Sequence, residues 1–457
     1  MSGAPTALVH GLAIAGEATA RALLARGYRV LAADDVLTDE RRAVADELGL
    51  DVVVAPDEAE IRRLVASVDL VSPSPGVPET HALVRTALEL GVPLRTEIDL
   101  AHEWEQQRAG GPRPMVAITG TDGKTTTTAL VGALLGAGGL RVAEAGNTDL
   151  PLATAIDDDA VDVFAVECSS FRLSWLRSFR AEAAIWLNLA PDHQNWHTSM
   201  ASYEAAKANV WRLQRATDVA VGWVDDPVVM RNLASAPGRH VTFGLTSGDY
   251  HVTPSIDGGA AEFVGPHGSI ASSAHLVRRF PHDLSNAAAA IAACVESGLL
   301  DPARVADGLA AFEVPPHRIE PVAEIDGVRW FNDSKATTPH AALTAIRSFD
   351  SLVLVAGGKN KQLDLHPLAT EPQRMRAVVA IGAAADDVAA AFDGVCPVER
   401  VTTGMADAVA AARRLAQPGD AVLLSPACAS FDWYSGYPAR GDDFKRLVHA
   451  LAAEEGA

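Results

Sequence analysis

The chain has 457 residues, of which 48% are hydrophobic and 21% charged, and this composition excludes an intrinsically disordered protein. A chain of this length is too long for a single hydrophobic core, so about three domains are predicted. The formal net charge of −20 repels phosphate backbones, so nucleic acid is not expected as a partner, although a local pocket can still bind a small anion.

Cysteine usage and the N-terminus indicate a reducing compartment. The four cysteines are far apart and form no CxxC pair, so neither a disulfide framework nor a zinc site is predicted. The first residues, MSGAPTALVHG, lack the pattern of a signal peptide. No apolar run approaches the roughly 20 residues that cross a bilayer. We therefore expect a soluble, cytoplasmic protein without a membrane segment.

The N-terminal residues follow a βαβ pattern. A strand over Ala7–His10 is followed by GLAIAG, by a helical stretch to Arg26 and by a second strand, RVLAAD. Gly11 and Gly16 lie at the first strand–helix turn, where backbone amides can face a phosphate. This pattern predicts a Rossmann-like domain.

Two segments rich in Pro or Gly divide the rest of the chain. We expect linkers at Glu103–Pro114 and at FEVPPHRIE, which contains Pro315 and Pro316. Short strands with Gly-rich turns between Val241 and Ile270 indicate a small antiparallel insertion. SLVLVAGG, AVVAIG and AVLLSPA are predicted strands of a last α/β domain. The predicted domains are residues 1–110, 113–312 and 313–457.

The segment GTDGKTT has the context of a phosphate loop, because it follows the predicted strand MVAITG and opens a predicted helix. Glycines let backbone amides turn toward phosphate oxygens, Lys124 supplies charge for the β- and γ-phosphates, and Thr125 offers a hydroxyl to Mg²⁺. Ile118 occupies the first glycine position of the full GxxxxGK[ST] pattern. The predicted ATP-binding residues of the loop are Gly120, Thr121, Asp122, Gly123, Lys124, Thr125 and Thr126.

Two further polar residues lie at predicted strand ends. Glu167 closes VDVFAVE, and His193 lies in NLAPDHQNWH, after AEAAIWL. The carboxyl ends of parallel strands line the crevice where nucleotides bind, and Mg²⁺ prefers oxygen ligands. Each residue by itself is more often solvated, but together, after a phosphate loop, they favour a metal site. Lys207, in the predicted helix SYEAAKANVW, reads by itself as a solvated helix lysine.

Several motifs together resemble those of the Mur ligases. They are TGTDGKTTT, ECSSF, NLAPDH, EAAK, PPHRIE, NDSKAT and SPACASFD, and the similarity runs from about Gly11 to Phe444. The last two, with SPSPG near residue 74, are most similar to members that join D-glutamate to UDP-N-acetylmuramoyl-L-alanine. The resemblance implies three domains: a Rossmann-like acceptor domain, a central P-loop-type ATPase domain and a C-terminal Rossmann-like α/β domain. It also implies a monomeric, ATP-dependent carbon–nitrogen ligase of peptidoglycan synthesis that works through an acyl phosphate.

The resemblance also implies roles for particular residues. The catalytic residues are expected to be Lys124, His193 and Lys207. Two Mg²⁺ ions are expected on Thr125, Glu167, His193 and a carbamylated Lys207. Beyond the loop, ATP is expected to contact Asn286, Arg318, Asp333 and Lys335. The substrate-binding residues are expected to be Ile14, Ala15, Asp35, Ser74, Gly76 and Asn147 for the UDP-linked acceptor, and Thr337, Lys361, Ser430 and Tyr437 for glutamate.

Five positions depart from the usual family pattern: Asp122, Arg172, Asp283, Thr338 and Tyr437. They cluster around the acceptor, the nucleotide and the amino acid in the family. Family frequency favours D-glutamate, and the departures leave L-glutamate open as the amino acid.

Three other functions compete with this interpretation. A folyl-polyglutamate synthetase does not account for SPACASFD or for the UDP-type N-terminal domain. A dinucleotide-binding oxidoreductase, based on GLAIAG and Asp34 or Asp35, leaves GTDGKTT unexplained, and Ala13 replaces its second glycine. A non-catalytic binding protein would have no need of Lys124, Glu167, His193 and Lys207 together.

Overall fold

A computed structural model describes residues 4–194, 196–254, 259–360 and 363–455. The chain forms two compact units, the first ending at Glu313 and the second beginning at Val314. This division falls where Pro315 and Pro316 predict the second linker. Within the described ranges, no helix is both long and apolar enough to cross a membrane.

A parallel sheet with the strand order β3-β2-β1-β4 begins the first unit. Its strands are β1 (Thr6–His10), β2 (Arg29–Asp34), β3 (Val52–Val54) and β4 (Leu70–Pro73). The accompanying helices are α1 (Ile14–Ala25), α2 (Asp39–Leu48), α3 (Glu58–Ala66), α4 (Ala82–Leu90) and α5 (Glu97–Glu105). The predicted Rossmann-like βαβ opening is confirmed, with the apolar run of β1 buried in the centre of the sheet.

The first predicted linker is wrong at its start, because α5 continues through Glu105. Arg113, near the other end of the segment, forms a buried ion pair with Glu105. Its Nη2 and Nε donate to the two carboxylate oxygens at 2.7 and 2.8 Å. This bidentate pair fixes the start of the next strand against α5. The composition of the segment, rich in Gly and Pro, gives no sign of it.

The first unit also contains a six-stranded parallel sheet, in the order β10-β9-β8-β5-β7-β6. Its strands are β5 (Met115–Thr119), β6 (Val142–Gly146), β7 (Val163–Glu167), β8 (Ala183–Trp186), β9 (Val219–Trp223) and β10 (Arg239–Phe243). The helices are α6 (Lys124–Ala137), α7 (Leu152–Ala155), α8 (Ser170–Leu173), α9 (Met200–Arg212), α10 (Pro227–Leu233), α11 (Pro281–Glu296) and α12 (Val305–Ala311). Since β5 lies between β7 and β8, the carboxyl ends of these three strands adjoin.

The predicted antiparallel insertion is confirmed as a separate small sheet. Its strands are β11 (His251–Thr253), β12 (Glu262–Gly265) and β13 (Gly268–Ser272).

The second unit contains a mixed sheet in the order β14-β15-β19-β16-β17-β18, in which only β14 and β15 pair antiparallel. The strands are β14 (Glu320–Ile325), β15 (Val328–Asn332), β16 (Leu352–Gly357), β17 (Met375–Ile381), β18 (Val398–Val401) and β19 (Ala421–Ala427). The helices are α13 (Pro339–Ile346), α14 (Ala385–Ala391), α15 (Met405–Leu415) and α16 (Tyr437–Glu455). Short 3-10 turns cover His366–Thr370, Pro372–Arg374 and Gly382–Ala384 in this unit, and Ser273–His275 and Pro302–Arg304 in the first unit. The three predicted strands of this domain are β16, β17 and β19, whose apolar runs are typical of buried parallel strands.

Candidate functional site

The predicted phosphate loop connects β5 to α6, as the sequence indicates. Gly123 caps α6 with a φ of 85°, in the left-handed region that favours glycine. A Cβ atom there would lie 2.7 Å from Oδ1 of Asn286, a residue that the resemblance places near the nucleotide. Nζ of Lys124 donates to the carbonyl oxygens of Gly120 and Thr121 at 2.9 and 2.8 Å. The loop therefore places a lysine amine at the N-terminus of a helix, where phosphate binding is favoured.

Asn188, which follows β8, holds the loop in shape. Its Oδ1 accepts hydrogen bonds from the backbone amides of Thr121 and Asp122, both at 2.9 Å. Its Nδ2 donates to the carbonyl oxygen of Asp122 at 3.2 Å. Sequence reasoning missed this role, although Asn188 begins the NLAPDH motif. The only sequence signal was its place after the predicted strand AEAAIWL.

Replacing Asn188 by alanine is expected to raise the KM for ATP about 10-fold or more. The loop amide of Asp122 loses its acceptor, and that of Thr121 keeps only the backbone carbonyl oxygen of residue 188. Initial rates measured over a range of ATP concentrations test this. Asn209→Ala is the matched control, since Asn209 donates to the carbonyl oxygen of Leu173, away from the loop. An Asn188→Ala protein with the wild-type KM for ATP would contradict a loop-holding role.

Lys207 lies on α9 and is buried directly under the loop, with 1% of its surface exposed. Its Nζ donates to the carbonyl oxygen of Gly120 at 2.6 Å and lies 4.7 Å from the centroid of the Tyr203 ring. The amines of Lys124 and Lys207 thus converge on one oxygen atom. Burial, followed by the charge of Lys124, holds the pKa of Lys207 well below its usual value. The interpretation of Lys207 as a solvated helix lysine is therefore wrong.

Glu167 ends β7 and is 2% exposed. It pairs in register with Ile118 of β5, two residues before the loop. Its Oε1 accepts a hydrogen bond from Nδ2 of Asn147 at 2.9 Å. Its Oε2 is buried and has no hydrogen-bond partner within the described part of the chain. Such an oxygen is costly to bury without a partner, and a hard cation such as Mg²⁺ would satisfy it.

His193 follows β8 at the same edge of the sheet. Its backbone has a φ of 53°, and its ring centroid lies 4.7 Å from that of Phe171 and 5.9 Å from that of Tyr203. Burial lowers the pKa of His193, and the charges of Lys124 and Lys207 act in the same direction. A lowered pKa favours the neutral imidazole, which is the form that binds metals. Glu167, His193 and Lys207 therefore lie around the phosphate loop. The buried Oε2 of Glu167 and a neutral His193 imidazole are donors that suit Mg²⁺, whereas the unmodified amine of Lys207 is not.

A network around His197 joins the two sheets of the first unit. His197 Nδ1 lies 2.9 Å from Oε1 of Glu79, and its Nε2 lies 2.9 Å from Oγ of Ser170, in the ECSSF motif. The neighbouring Trp196 donates from Nε1 to the carbonyl oxygen of Pro75 at 2.8 Å. The SPSPG segment is thereby held next to residues 196 and 197, which follow β8. Sequence reasoning did not single out His197.

The predicted acceptor residues of the first sheet surround the turn after β1. Oγ of Ser74 donates to the carbonyl oxygen of Gly11 at 2.5 Å. Ile14 is exposed, Ala15 is buried and Gly76 is exposed. Asp35, at the end of β2, has a side chain that is 53% exposed.

Three of the five departures from the family pattern have structural explanations. Arg172 is buried and paired with the buried Glu97. Asp283 accepts a hydrogen bond from Nε of Arg278 at 2.7 Å, in a second buried ion pair. Thr338 caps α13 through its side chain. These side chains are occupied by partners within the fold.

The predicted residues of the second unit lie around the ends of β15 and β19. Asp333 is buried and accepts hydrogen bonds from the amide of Ile319 at 3.2 Å and from Oγ of Ser425 at 2.7 Å. Nζ of Lys335 lies 5.6 Å from the ring centroid of Tyr437. The remaining predicted residues are a half-buried Arg318, a half-buried Thr337, a buried Ser430 and Lys361, which lies outside the described residues.

Arg440, which sequence reasoning missed, links the NDSKAT and SPACASFD segments. It is buried on α16, and its Nε and Nη2 donate to Oγ and the carbonyl oxygen of Ser334, both at 2.9 Å. Its Nη1 donates to the carbonyl oxygen of Cys428 at 3.1 Å. The two motifs that resemble the Mur ligases most specifically are therefore held together by one guanidinium group.

Comparison with solved structures shows the fold. The UDP-N-acetylmuramate-alanine ligase of Thermotoga maritima aligns over 98% of this chain and 99% of its own, with a TM-score of 0.57 and 18% identity. The folylpolyglutamate synthase of Mycobacterium tuberculosis, solved with ADP and AMPPCP, aligns over 76% and 95%, with a TM-score of 0.56 and 19% identity. At these identities the likeness is one of architecture and does not distinguish the two ligases.

Relatives with higher sequence identity show the family of the chain. The UDP-N-acetylmuramoylalanine–D-glutamate ligase of Frankia casuarinae is 42% identical, over 97% of this chain and 93% of its own. The ligase of the same name from Myxococcus xanthus is 39% identical, over 97% and 98%. The Mur ligase middle domain matches residues 118–294, and the glutamate ligase domain matches residues 317–428. The chain therefore belongs to the Mur ligase family and is an ATP-dependent carbon–nitrogen ligase.

Proposed function

We propose that the protein joins D-glutamate to UDP-N-acetylmuramoyl-L-alanine in the synthesis of peptidoglycan precursors, using ATP. The relatives' shared name supports the substrates. In this chain, the observation that carries the chemistry is the convergence of Lys124 and Lys207 on the carbonyl oxygen of Gly120, at the sheet edge where β7 ends in the buried Glu167.

The reaction needs activation of a carboxylate, because a carboxylate oxygen is a poor leaving group. The acceptor's carboxylate attacks the γ-phosphorus of ATP, ADP leaves, and an acyl phosphate forms. Lys124 stabilises negative charge on the transferring group. The glutamate amine then attacks the acyl carbon, and inorganic phosphate leaves from the tetrahedral intermediate. The products are an amide, ADP and phosphate.

Thr125, Glu167, His193 and a carbamylated Lys207 would hold two Mg²⁺ ions, which neutralise charge on the phosphates when bound. Two features support carbamylation of Lys207. Its amine is buried, and it has no ion-pair partner within the described part of the chain. Addition of CO₂ to that amine would replace a buried cation with an anionic oxygen ligand, which suits Mg²⁺.

We assign the substrates to three regions. Residues 1–110 would bind the UDP portion of the acceptor through Ile14, Ala15, Asp35, Ser74 and Gly76, with Asn147 nearby. Residues 113–312 would bind ATP and the metals, with Asn286 beside the loop. Residues 313–457 would bind the nucleotide through Arg318, Asp333 and Lys335, and glutamate through Thr337, Lys361, Ser430 and Tyr437. A monomer acting in the cytoplasm, where ATP and the nucleotide-linked acceptor meet, fits this assignment.

Phosphate release from ATP tests the proposal directly. The purified protein is given UDP-N-acetylmuramoyl-L-alanine with D-glutamate, with L-glutamate or with neither. We expect release that depends on both the acceptor and D-glutamate. Exclusive use of L-glutamate would overturn the stereochemical choice and leave the ligation intact. Release with a folate acceptor instead of the UDP-linked one would support a folyl-polyglutamate synthetase.

Replacing Lys361 by alanine is expected to raise the KM for glutamate by about 10- to 150-fold, because a lysine paired with a carboxylate contributes roughly 1.5–3 kcal/mol. The KM for ATP should change little. The matched control is Lys359→Ala, because the exposed Lys359 is two residues away and its backbone amide pairs with Ala429. Equal effects of the two substitutions on the KM for glutamate would contradict the assignment. We expect Ser430→Ala to act in the same direction as Lys361→Ala.

A further inference from the structure

Two of the proposed metal donors lie on separate segments of the chain, one after β7 and the other after β8. Glu167 is the first residue of the motif ECSSF, whose fourth and fifth residues are Ser170 and Phe171. His193 lies four residues before His197 in the motif NLAPDHQNWH. Each donor is therefore followed, within four residues, by side chains that contact the other segment.

A chain of side-chain hydrogen bonds runs through His197. Its Nε2 lies 2.9 Å from Oγ of Ser170, and its Nδ1 lies 2.9 Å from Oε1 of Glu79. Since the carboxylate of Glu79 only accepts, Nδ1 carries a proton and donates it. In the neutral ring Nε2 accepts the hydroxyl proton of Ser170, and in the charged ring Nε2 donates to Oγ, so this bond forms in either state. His197 and Ser170 are both buried, where such bonds are strong.

Glu79 and His197 also hold the backbone next to His193. The carbonyl oxygen of His193 accepts the amides of Trp196 and His197 at 2.9 and 3.0 Å. His193 has a φ of 53°, a conformation that costs energy for a residue other than glycine. Oε2 of Glu79 accepts the amide of Thr198 at 3.1 Å, and the amide of Glu79 donates to the carbonyl oxygen of Trp196 at 3.3 Å. Glu79 therefore fixes the residues that are bonded to the strained His193.

Aromatic contacts join the two segments beside these hydrogen bonds. The ring centroid of Phe171 lies 4.7 Å from those of His193 and Trp196, and 5.8 Å from that of His197. Phe171 follows Glu167 by four residues, so its ring connects the segment of one donor to the side chain of the other. A shift of the His197 segment would therefore change the spacing between Glu167 and His193.

We propose that Glu79 and His197 are positioning residues that set the spacing between Glu167 and His193, so that both can bind divalent cations beside the phosphate loop. The inference rests on the proposed metal-binding role of Glu167 and His193. Glu79 lies three residues after Gly76 of SPSPG, so the segment assigned to the acceptor also supports the metal site. Side chains that orient metal ligands commonly change metal affinity by about 10- to 100-fold.

Binding of Mn²⁺ to the full chain tests the proposal without turnover. The protein is mixed with AMPPCP, an ATP analogue that does not transfer its γ-phosphoryl group. Electron paramagnetic resonance gives the free Mn²⁺, with AMPPCP alone as the reference. Mn²⁺ suits the same oxygen ligands as Mg²⁺.

The variants separate the hydrogen bonds from the space that the side chains fill. His197→Phe keeps a buried ring and removes both hydrogen bonds, so we expect it to weaken Mn²⁺ binding by about 10- to 100-fold. Glu79→Ala should have a similar effect. Glu79→Gln should keep most of the affinity, because its amide oxygen can still accept the proton of Nδ1.

A double variant tests whether Ser170 and His197 act as one unit. Ser170→Ala combined with His197→Phe should weaken Mn²⁺ binding no more than His197→Phe alone, because both changes break the same bond. Additive losses would contradict a single hydrogen-bonded unit. His102→Phe is the matched control, since His102 is also buried in the first unit but contacts the ring of Phe179. It should bind Mn²⁺ like the wild type.

The outcomes distinguish the two levels of inference. If the wild-type protein does not bind Mn²⁺, or if Glu167→Gln binds it equally well, the metal assignment fails and the positioning role fails with it. If Glu167→Gln weakens binding while His197→Phe and Glu79→Ala bind like the wild type, only the positioning role is overturned. A lower unfolding temperature of His197→Phe with unchanged Mn²⁺ affinity would likewise reduce His197 to a structural role. Circular dichroism checks folding, and Glu79→Ala supplies the test if His197→Phe does not fold.

Discussion

Replacing Lys124 by alanine is expected to lower kcat by at least about 10²- to 10³-fold, because the amine that balances charge on the transferring phosphoryl group is lost. The fold should persist. Lys124 is the first residue of α6 and only half-buried, and alanine is a good helix former. Phosphate release, measured with saturating acceptor and glutamate, gives the change in kcat.

The accompanying control is Lys124→Arg, which keeps the charge but carries it on a broad planar group in place of a compact ammonium. We expect arginine to retain more activity than alanine. A folded Lys124→Ala protein with wild-type turnover would remove the phosphate-loop assignment, since no other described lysine is placed at the N-terminus of α6.

Replacing Lys207 is expected to lower activity as much as replacing Lys124, through a different mechanism. Both Lys207→Ala and Lys207→Met should lose about 10²- to 10³-fold in kcat if the carbamate is a metal ligand. Alanine leaves space beside Gly120 that a short carboxylate such as formate or acetate can fill, so those anions should partly restore activity. Methionine fills the space, so its activity should not be restored.

Measurements of the free energy of unfolding separate the proposed metal-binding role of Lys207 from a structural role. The amine of Lys207 is buried, so replacing it with methionine removes a desolvation cost and should not lower the free energy of unfolding. Isotopically labelled bicarbonate, followed by NMR, should give a carbamate signal that is absent in Lys207→Met. Full activity without any carbamate signal would show that the unmodified amine suffices.

Local sequence patterns determined much of the fold. Glycines followed by lysine between a strand and a helix predicted the phosphate loop, and paired prolines predicted the division near Glu313. Continuous apolar runs predicted β16, β17 and β19 as buried parallel strands. These features were accessible because each depends on neighbours in the chain: on backbone freedom at glycine, on the fixed φ of proline and on the periodicity of burial.

The candidate site depends on contacts between segments that are distant in the sequence. Only the tertiary structure determines which of these segments meet. The sequence around Lys207 is that of a solvated helix lysine, and the amine is buried only because α9 packs under the loop after β5. In the sequence, Asn188 is only one residue of the NLAPDH motif. Its side chain reaches two loop amides because β8 lies next to β5. Asp34 and Asp35 are chemically identical in the sequence. In the fold, Asp34 is buried and paired with Arg41 of α2, whereas the side chain of Asp35 is half-exposed, so only the tertiary structure tells the two carboxylates apart.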